Sequence, residues 1–461
     1  MKKIILILLA IGIFSCSKEE KKPVDYAIFS GKIENLTEGN ISIWNSNKIF
    51  DEITINKDST FLDTIKNVKP GIYFFVYGNE RSKIYLKPGY NLNLYLDAKQ
   101  FDESIKYTGN GSKNNNYLAQ KILDEEDLSK FLSYRNLGTL DEADFVRKMD
   151  SVKNLQFSYL EEQKDLDNSL KTLEEGDILY GWANKMHDFE AYKRYISKND
   201  DFKVSENYPD FTKDLNFEDE SLIDVLNYKM YLQRYYNQKF SEELENEESD
   251  RQTTYLTLIS KNVKSQKIKN SLLYADAVYG VSYTSELQKY YDIFMANSTN
   301  EEHKKDITEK YNKLIKLSKG NPSPKFVDYE NYKGGTTSLD DLKGKYVYVD
   351  VWATWCGPCK REIPSLKEIT KKYDGRNITF VSMSIDKKDA YDAWRKMVEE
   401  KELEGVQLFA PNDWKSDFVT DYGIMGIPRF ILIDPEGNIV NANAPRPSSK
   451  KLINLLTELN I

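Results

Sequence analysis

The chain of 461 residues holds only three cysteines, and two of them stand two residues apart. They lie in the stretch DVWATWCGPCKREIP, residues 350–364, as Cys356 and Cys359. A pair so spaced can hold a metal, staple the chain or carry redox chemistry. Structural zinc takes four ligands, mostly Cys and His. Here only His187 and His303 are available, both in a helical region, and no second CxxC exists. The metal reading therefore fails on count. A purely structural disulfide gains little, because closing so small a loop barely constrains the unfolded chain. A dithiol redox site fits the spacing, since one helical turn brings both sulfurs within bonding distance.

That chemistry needs a strand leading into a helix. KYVYVDVWA, residues 345–353, reads as a strand, and the segment after Cys356 reads as a helix. Cys356 then sits at the helix N-terminus, where free N–H groups and the macrodipole stabilise a thiolate. Pro358 removes a donor that the first helical turn would not use. Downstream, NITFVSMSID, PRFILIDPEGNIV and two amphipathic stretches alternate strand with helix. Residues 321–461 are thus expected to form an α/β domain.

The rest of the chain divides by pattern. Residues 26–111 carry short runs rich in β-branched and aromatic residues, such as GIYFFVYG and NLNLYLD, separated by turn residues. They predict an N-terminal antiparallel β-sandwich-like domain. Residues 112–320 repeat Leu, Tyr, Phe and Ile at helical spacing and predict a central α-helical region, ending in the linker-like SKGNPSP. The net charge of -8, without a basic run, argues against a nucleic-acid partner. The first residues, MKKIILILLAIGIFSC, have a basic start and an apolar core too short to span a bilayer. Ser15-Cys16 after that core resembles the lipobox of bacterial lipoproteins. The resemblance implies a signal peptide over 1–15, lipidation of Cys16 and a tether over 16–25.

VDVWATWCGPCKREIPSL resembles the thioredoxin superfamily and, within it, the TlpA/ResA-like disulfide reductases of the bacterial envelope. The resemblance implies a thioredoxin fold, with Cys356 the attacking and Cys359 the resolving cysteine. Asp350 matches the buried acid of thioredoxin, and Glu362 the acid near the site in the ResA branch. Trp355 matches the tryptophan before the motif, and Pro364 the proline that kinks the helix. Ile427-Pro428 matches the cis-proline loop facing the cysteines, so Trp355, Ile427 and Pro428 are the expected substrate contacts. Two positions depart from the branch: Asp350 stands where Asn is usual, and Arg429 where a small Thr is common. A peroxide-reducing site resembles Thr-x-x-Cys, and Ala353 occupies that Thr position. The front region resembles, in pattern alone, the β-domains that precede thioredoxins in Bacteroidetes lipoproteins.

The implied activity is reduction of disulfides in exported proteins, with Asp350 or Glu362 taking the proton of Cys359. Burial is expected to raise either carboxyl's pKa. Gly-Pro between the cysteines resembles the reducing thioredoxins, near about -270 mV, rather than oxidants near about -120 mV. The pattern asks for no cofactor, but an oxidising envelope demands a membrane thiol electron donor. The rival expectations are a surface-exposed binding lipoprotein with an accessory thioredoxin domain, since SKEE after Cys16 resembles a short acidic export signal, and a thiol peroxidase.

Overall fold

The computed structural model describes residues 24–45, 48–245 and 249–461. The leader and Cys16 lie outside the described residues. The chain forms two compact units, one running to Leu215 and including Asp224–Tyr228, the other comprising Asn216–Ile223 and Lys229–Ile461. Among the described residues, no helix is long and apolar enough to cross a membrane.

The first unit opens with eight strands: β1 (Ala27–Glu34), β2 (Asn40–Asn45), β3 (Lys48–Thr54), β4 (Thr60–Ile65), β5 (Gly71–Tyr77), β6 (Glu80–Leu86), β7 (Asn91–Asp97) and β8 (Lys106–Asn110). They make two four-stranded sheets, in the orders β4-β1-β7-β8 and β3-β2-β5-β6. The period-two pattern explains their burial: Leu92, Leu94 and Leu96 of β7 point inward between exposed Asn91, Asn93 and Tyr95. Phe29 of one sheet meets Phe75 of the other, with ring centres 6.4 Å apart in a shared core. One ladder departs from the antiparallel expectation. β1 and β7 pair in parallel, from Ile28↔Asn91 to Glu34↔Asp97. The intervening strands form the long crossover that a parallel pair requires. Gly31 makes the close approach possible, because a Cβ there would lie 2.4 Å from the Leu94 carbonyl oxygen. Helices α1 (Phe101–Ser104), α2 (Ser112–Phe131), α3 (Tyr134–Thr139), α4 (Glu142–Glu162) and α5 (Asn168–Ser197) follow.

The second unit holds most of α6 (Leu226–Lys239), then α7 (Ser241–Leu244), α8 (Arg251–Asn262), α9 (Gln266–Gly280), α10 (Leu287–Asn297) and α11 (Glu301–Leu314). Its sheet has seven strands: β9 (Tyr329–Asn331), β10 (Thr336–Thr337), β11 (Tyr346–Trp352), β12 (Ile378–Ser384), β13 (Val406–Phe409), β14 (Arg429–Ile433) and β15 (Ile439–Asn441). The order is β10-β9-β13-β12-β11-β14-β15, with β11 parallel to β12 and antiparallel to β14. α12 (Gly357–Lys372), α13 (Tyr391–Glu400), α14 (Asp417–Asp421) and α15 (Lys450–Glu458) accompany it. β11 is buried on both faces, which is why its sequence is almost continuously apolar. Val347, Val349 and Val351 enter one core, and Tyr348 enters the core on the opposite face. The linker-like stretch is laid along β15. Gly320 N–H donates to the Ile439 carbonyl at 2.8 Å, and Ser323 Oγ meets Tyr422 Oη at 2.6 Å. Its composition signals irregular backbone, and those backbone groups still take hydrogen-bond partners on the strand.

Candidate active site

β11 delivers the chain to the cysteines, and the turn between strand and helix is pinned from the neighbouring strand. Asp386, just past the end of β12, is 1% exposed. Its carboxylate accepts from Thr354 N–H at 2.9 Å, Thr354 Oγ1 at 2.8 Å and Ser384 Oγ at 2.7 Å. Cys356 is the N-cap of α12, and its Sγ accepts from Cys359 N–H at 3.1 Å. A hydrogen bond from a main-chain donor to sulfur favours the thiolate, as does the N-terminal end of the helix. Cys356 and Cys359 are joined as a disulfide and both are buried.

The two acids have different surroundings. Asp350 is buried within β11, and its carboxyl is pushed up to about 8 by loss of solvation, with the charge of Glu362 adding to the rise. Glu362, on the first turns of α12, is also buried but has dedicated partners. Its carboxylate accepts from Ser448 N–H and Ser448 Oγ, both at 3.1 Å, and the Arg446 guanidinium lies 3.6 Å away. Neither Ser448 nor Arg446 was legible as a site residue, because APRPSS carries no motif.

β14 forms the other side. Val351 pairs with Arg429, so residue 428 lies beside the end of β11. The Ile427–Pro428 peptide bond is cis, and Ile427 packs on the core cluster that contains both cysteines. Trp355 is 56% exposed, and its ring centre lies 6.3 Å from that of Trp414. Trp414, absent from the sequence reading, gives Trp355 a second aromatic surface. Arg429 turns inward, donating from Nε to the Ala442 carbonyl at 3.0 Å and from Nη1 to the Ser282 carbonyl at 2.6 Å. Its departure from the small residue usual there thus supplies an internal tie. Among the described residues, no cluster of His, Cys, Asp and Glu could hold a metal ion.

Residues 318–456 match the Redoxin family. The chain is 28% identical over 130 residues to the thiol-disulfide oxidoreductase ResA of Bacillus cereus strain ATCC 10987, covering 28% of this chain and 72% of the relative. It is 30% identical over 125 residues to ResA of Bacillus thuringiensis strain Al Hakam, covering 27% and 69%. The chain belongs to the ResA-like thiol-disulfide oxidoreductases of the thioredoxin superfamily. It is an enzyme, a thioredoxin-like disulfide reductase. Among solved structures it is similar to the thioredoxin domain of a thiol-disulfide oxidoreductase from Bacteroides vulgatus, at 33% identity and a TM-score of 0.28, covering 31% of this chain and 98% of that one.

Proposed function

We propose that this ResA-like chain reduces disulfides of exported proteins in the bacterial envelope, with Cys356 as nucleophile and Cys359 as resolving thiol. In the reduced enzyme, Cys356 Sγ attacks one sulfur of a substrate disulfide. That bond breaks, the departing sulfur leaves as a thiolate and takes a proton from water, and a mixed disulfide forms. Cys359 then loses its proton and attacks Cys356 Sγ. The mixed disulfide breaks, the second substrate thiol is released, and two electrons have passed to the substrate. A membrane thiol donor returns two electrons to Cys356–Cys359. Lipidation of Cys16 holds the enzyme at the membrane, an expectation from the leader sequence.

Asp350 receives the proton of Cys359, through water. With its carboxyl near 8, about one in ten is ionised at pH 7, so its capacity as acceptor rises with pH through that value. Glu362 acts on the same step by its charge, which disfavours ionisation of Asp350. Trp355, with Trp414 beside it, and the Ile427–Pro428 segment flank the cysteines and receive the substrate chain. The observation that carries the reading is the capping of α12 by Cys356, with Cys359 N–H directed at its sulfur. Reduction of insulin by the full chain with a dithiol donor tests it. Cys356→Ser should abolish turnover above the donor's own rate, and unchanged turnover in that variant would remove Cys356 from the role.

A further inference from the structure

The loop opposite the cysteines is gripped by a turn of the helical part of the same unit. α9 ends at Gly280, and the chain then folds back on itself. Ser282 N–H donates to the Tyr279 carbonyl at 3.0 Å, and Tyr283 N–H to the Gly280 carbonyl at 2.9 Å. The turn is held from the far side by Asp250, the N-cap of α8, which accepts from Thr284 Oγ1 and Ser285 N–H, both at 2.8 Å. From this fixed turn, Tyr283 Oη donates to the Gly426 carbonyl at 2.9 Å. Arg429 Nη1 donates to the Ser282 carbonyl at 2.6 Å, and its guanidinium carbon lies 5.2 Å from the centre of the Tyr283 ring. Asn443 Nδ2 completes the grip on the Tyr283 carbonyl at 2.6 Å.

The contacts bracket the cis bond. Gly426, one residue before Ile427, is tied by the Tyr283 hydroxyl. Arg429, one residue after Pro428, is tied by the Ser282 carbonyl. Arg429 is 3% exposed, and its partners among the described residues are two carbonyls and an aromatic ring. Burial draws its pKa down to about 10. A charge placed there at such a solvation cost makes a rigid tie, because removing either carbonyl leaves one of its buried N–H donors without that partner. Gly426 leaves the space for this arrangement: a Cβ there would meet Tyr283 Oη at 2.7 Å.

We propose that residues 281–285 are a positioning element of the redox site, with Tyr283 and Arg429 holding residues 426–428 where a disulfide-bearing polypeptide must lie against Cys356. The inference rests on the proposed function and adds that the helical part of the second unit takes part in selecting polypeptide substrates. Thiol exchange needs the attacked sulfur in line with Cys356, and a wall that fixes the substrate chain supplies that alignment. A small disulfide, which makes no extended contact with the wall, gains little from it.

The test compares insulin with oxidised glutathione as substrates of the full chain. Tyr283→Phe removes the hydroxyl and keeps the ring over Arg429. Its kcat/KM for insulin should fall about fivefold, the factor for one hydrogen bond of ordinary net strength, and the fall should be carried by KM. Its rate with oxidised glutathione should stay that of the wild type, and its melting temperature should fall by no more than a few degrees. Gly426→Ala should raise KM for insulin alike, and should add little in the Tyr283→Phe background, where the hydroxyl it displaces is gone. Equal loss on both substrates, or wild-type KM for insulin in Tyr283→Phe, overturns the inference. A wild-type chain that reduces neither substrate overturns the underlying functional reading instead.

Discussion

Replacing Asp350 by Asn should change how stability depends on pH more than it changes stability itself. The carboxyl sits near 8 in the folded chain against 3.8 for an ordinary Asp, chiefly because burial penalises the charged form. Between those values the native state binds more protons than the unfolded chain, so stability falls as pH rises through 8. The loss between pH 5 and pH 8 is ~3–4 kcal/mol if the unfolded carboxyl behaves as an ordinary Asp. Asn is close in shape and carries no charge, so the variant escapes this loss. Urea unfolding of the oxidised chain, followed by tryptophan fluorescence, to which Trp352, Trp355, Trp394 and Trp414 of the second unit contribute four of the six emitters, measures it. The difference between variant and wild type should move in the variant's favour by that amount from pH 5 to pH 8. A difference that is the same at both pH values would refute the assignment of a raised pKa to Asp350.

Glu362→Gln should lower the Asp350 pKa by removing the like charge, and stopped-flow measurement of the second exchange step should show its pH dependence moved to lower pH. Asp350→Asn should slow that step within the ~10²–10⁴-fold range of general acid–base catalysis, and adding Glu362→Gln in that background should change it little further, because Glu362 acts through Asp350; wild-type rates in Asp350→Asn would exclude that carboxyl as the acceptor. Trp414→Ala should raise KM for a protein disulfide with little change in kcat, because it removes the ring beside Trp355, and steady-state kinetics on insulin read this. Cys16→Ala should release the chain from the membrane fraction, as fractionation would detect, and a variant that still sediments with membranes would contradict lipidation.

The parts of the fold that were legible in the sequence are those set by local chemistry. The strand, turn and helix around Cys356 follow from a continuous apolar run, a capping cysteine and Pro358 in the first turn. The sheets of the first unit follow from alternation, as in β7. What escaped depends on contacts between distant segments. The parallel pairing of β1 with β7 is fixed by a crossover of five strands, for which neither strand carries a mark. Ser448 reaches Glu362 across 86 positions, and Tyr283 reaches Gly426 across 143. Asp386 left a usable signal, since it lies past the carboxyl end of a central strand, where sites of α/β sheets gather. Arg429 stands out in the sequence as a departure, but only the folded chain reveals that its partners are carbonyls of Ala442 and Ser282.

The central claim is that Cys356 attacks a substrate disulfide and Cys359 resolves the product. Trapping tests it most directly. The full chain with Cys359→Ser, mixed with an oxidised protein substrate, should accumulate a covalent adduct whose mass is the sum of the two, which dithiothreitol dissolves and whose bond maps to Cys356. The double variant Cys356→Ser, Cys359→Ser should form none. An adduct of equal yield in the double variant, or one mapped elsewhere than Cys356, would contradict the account.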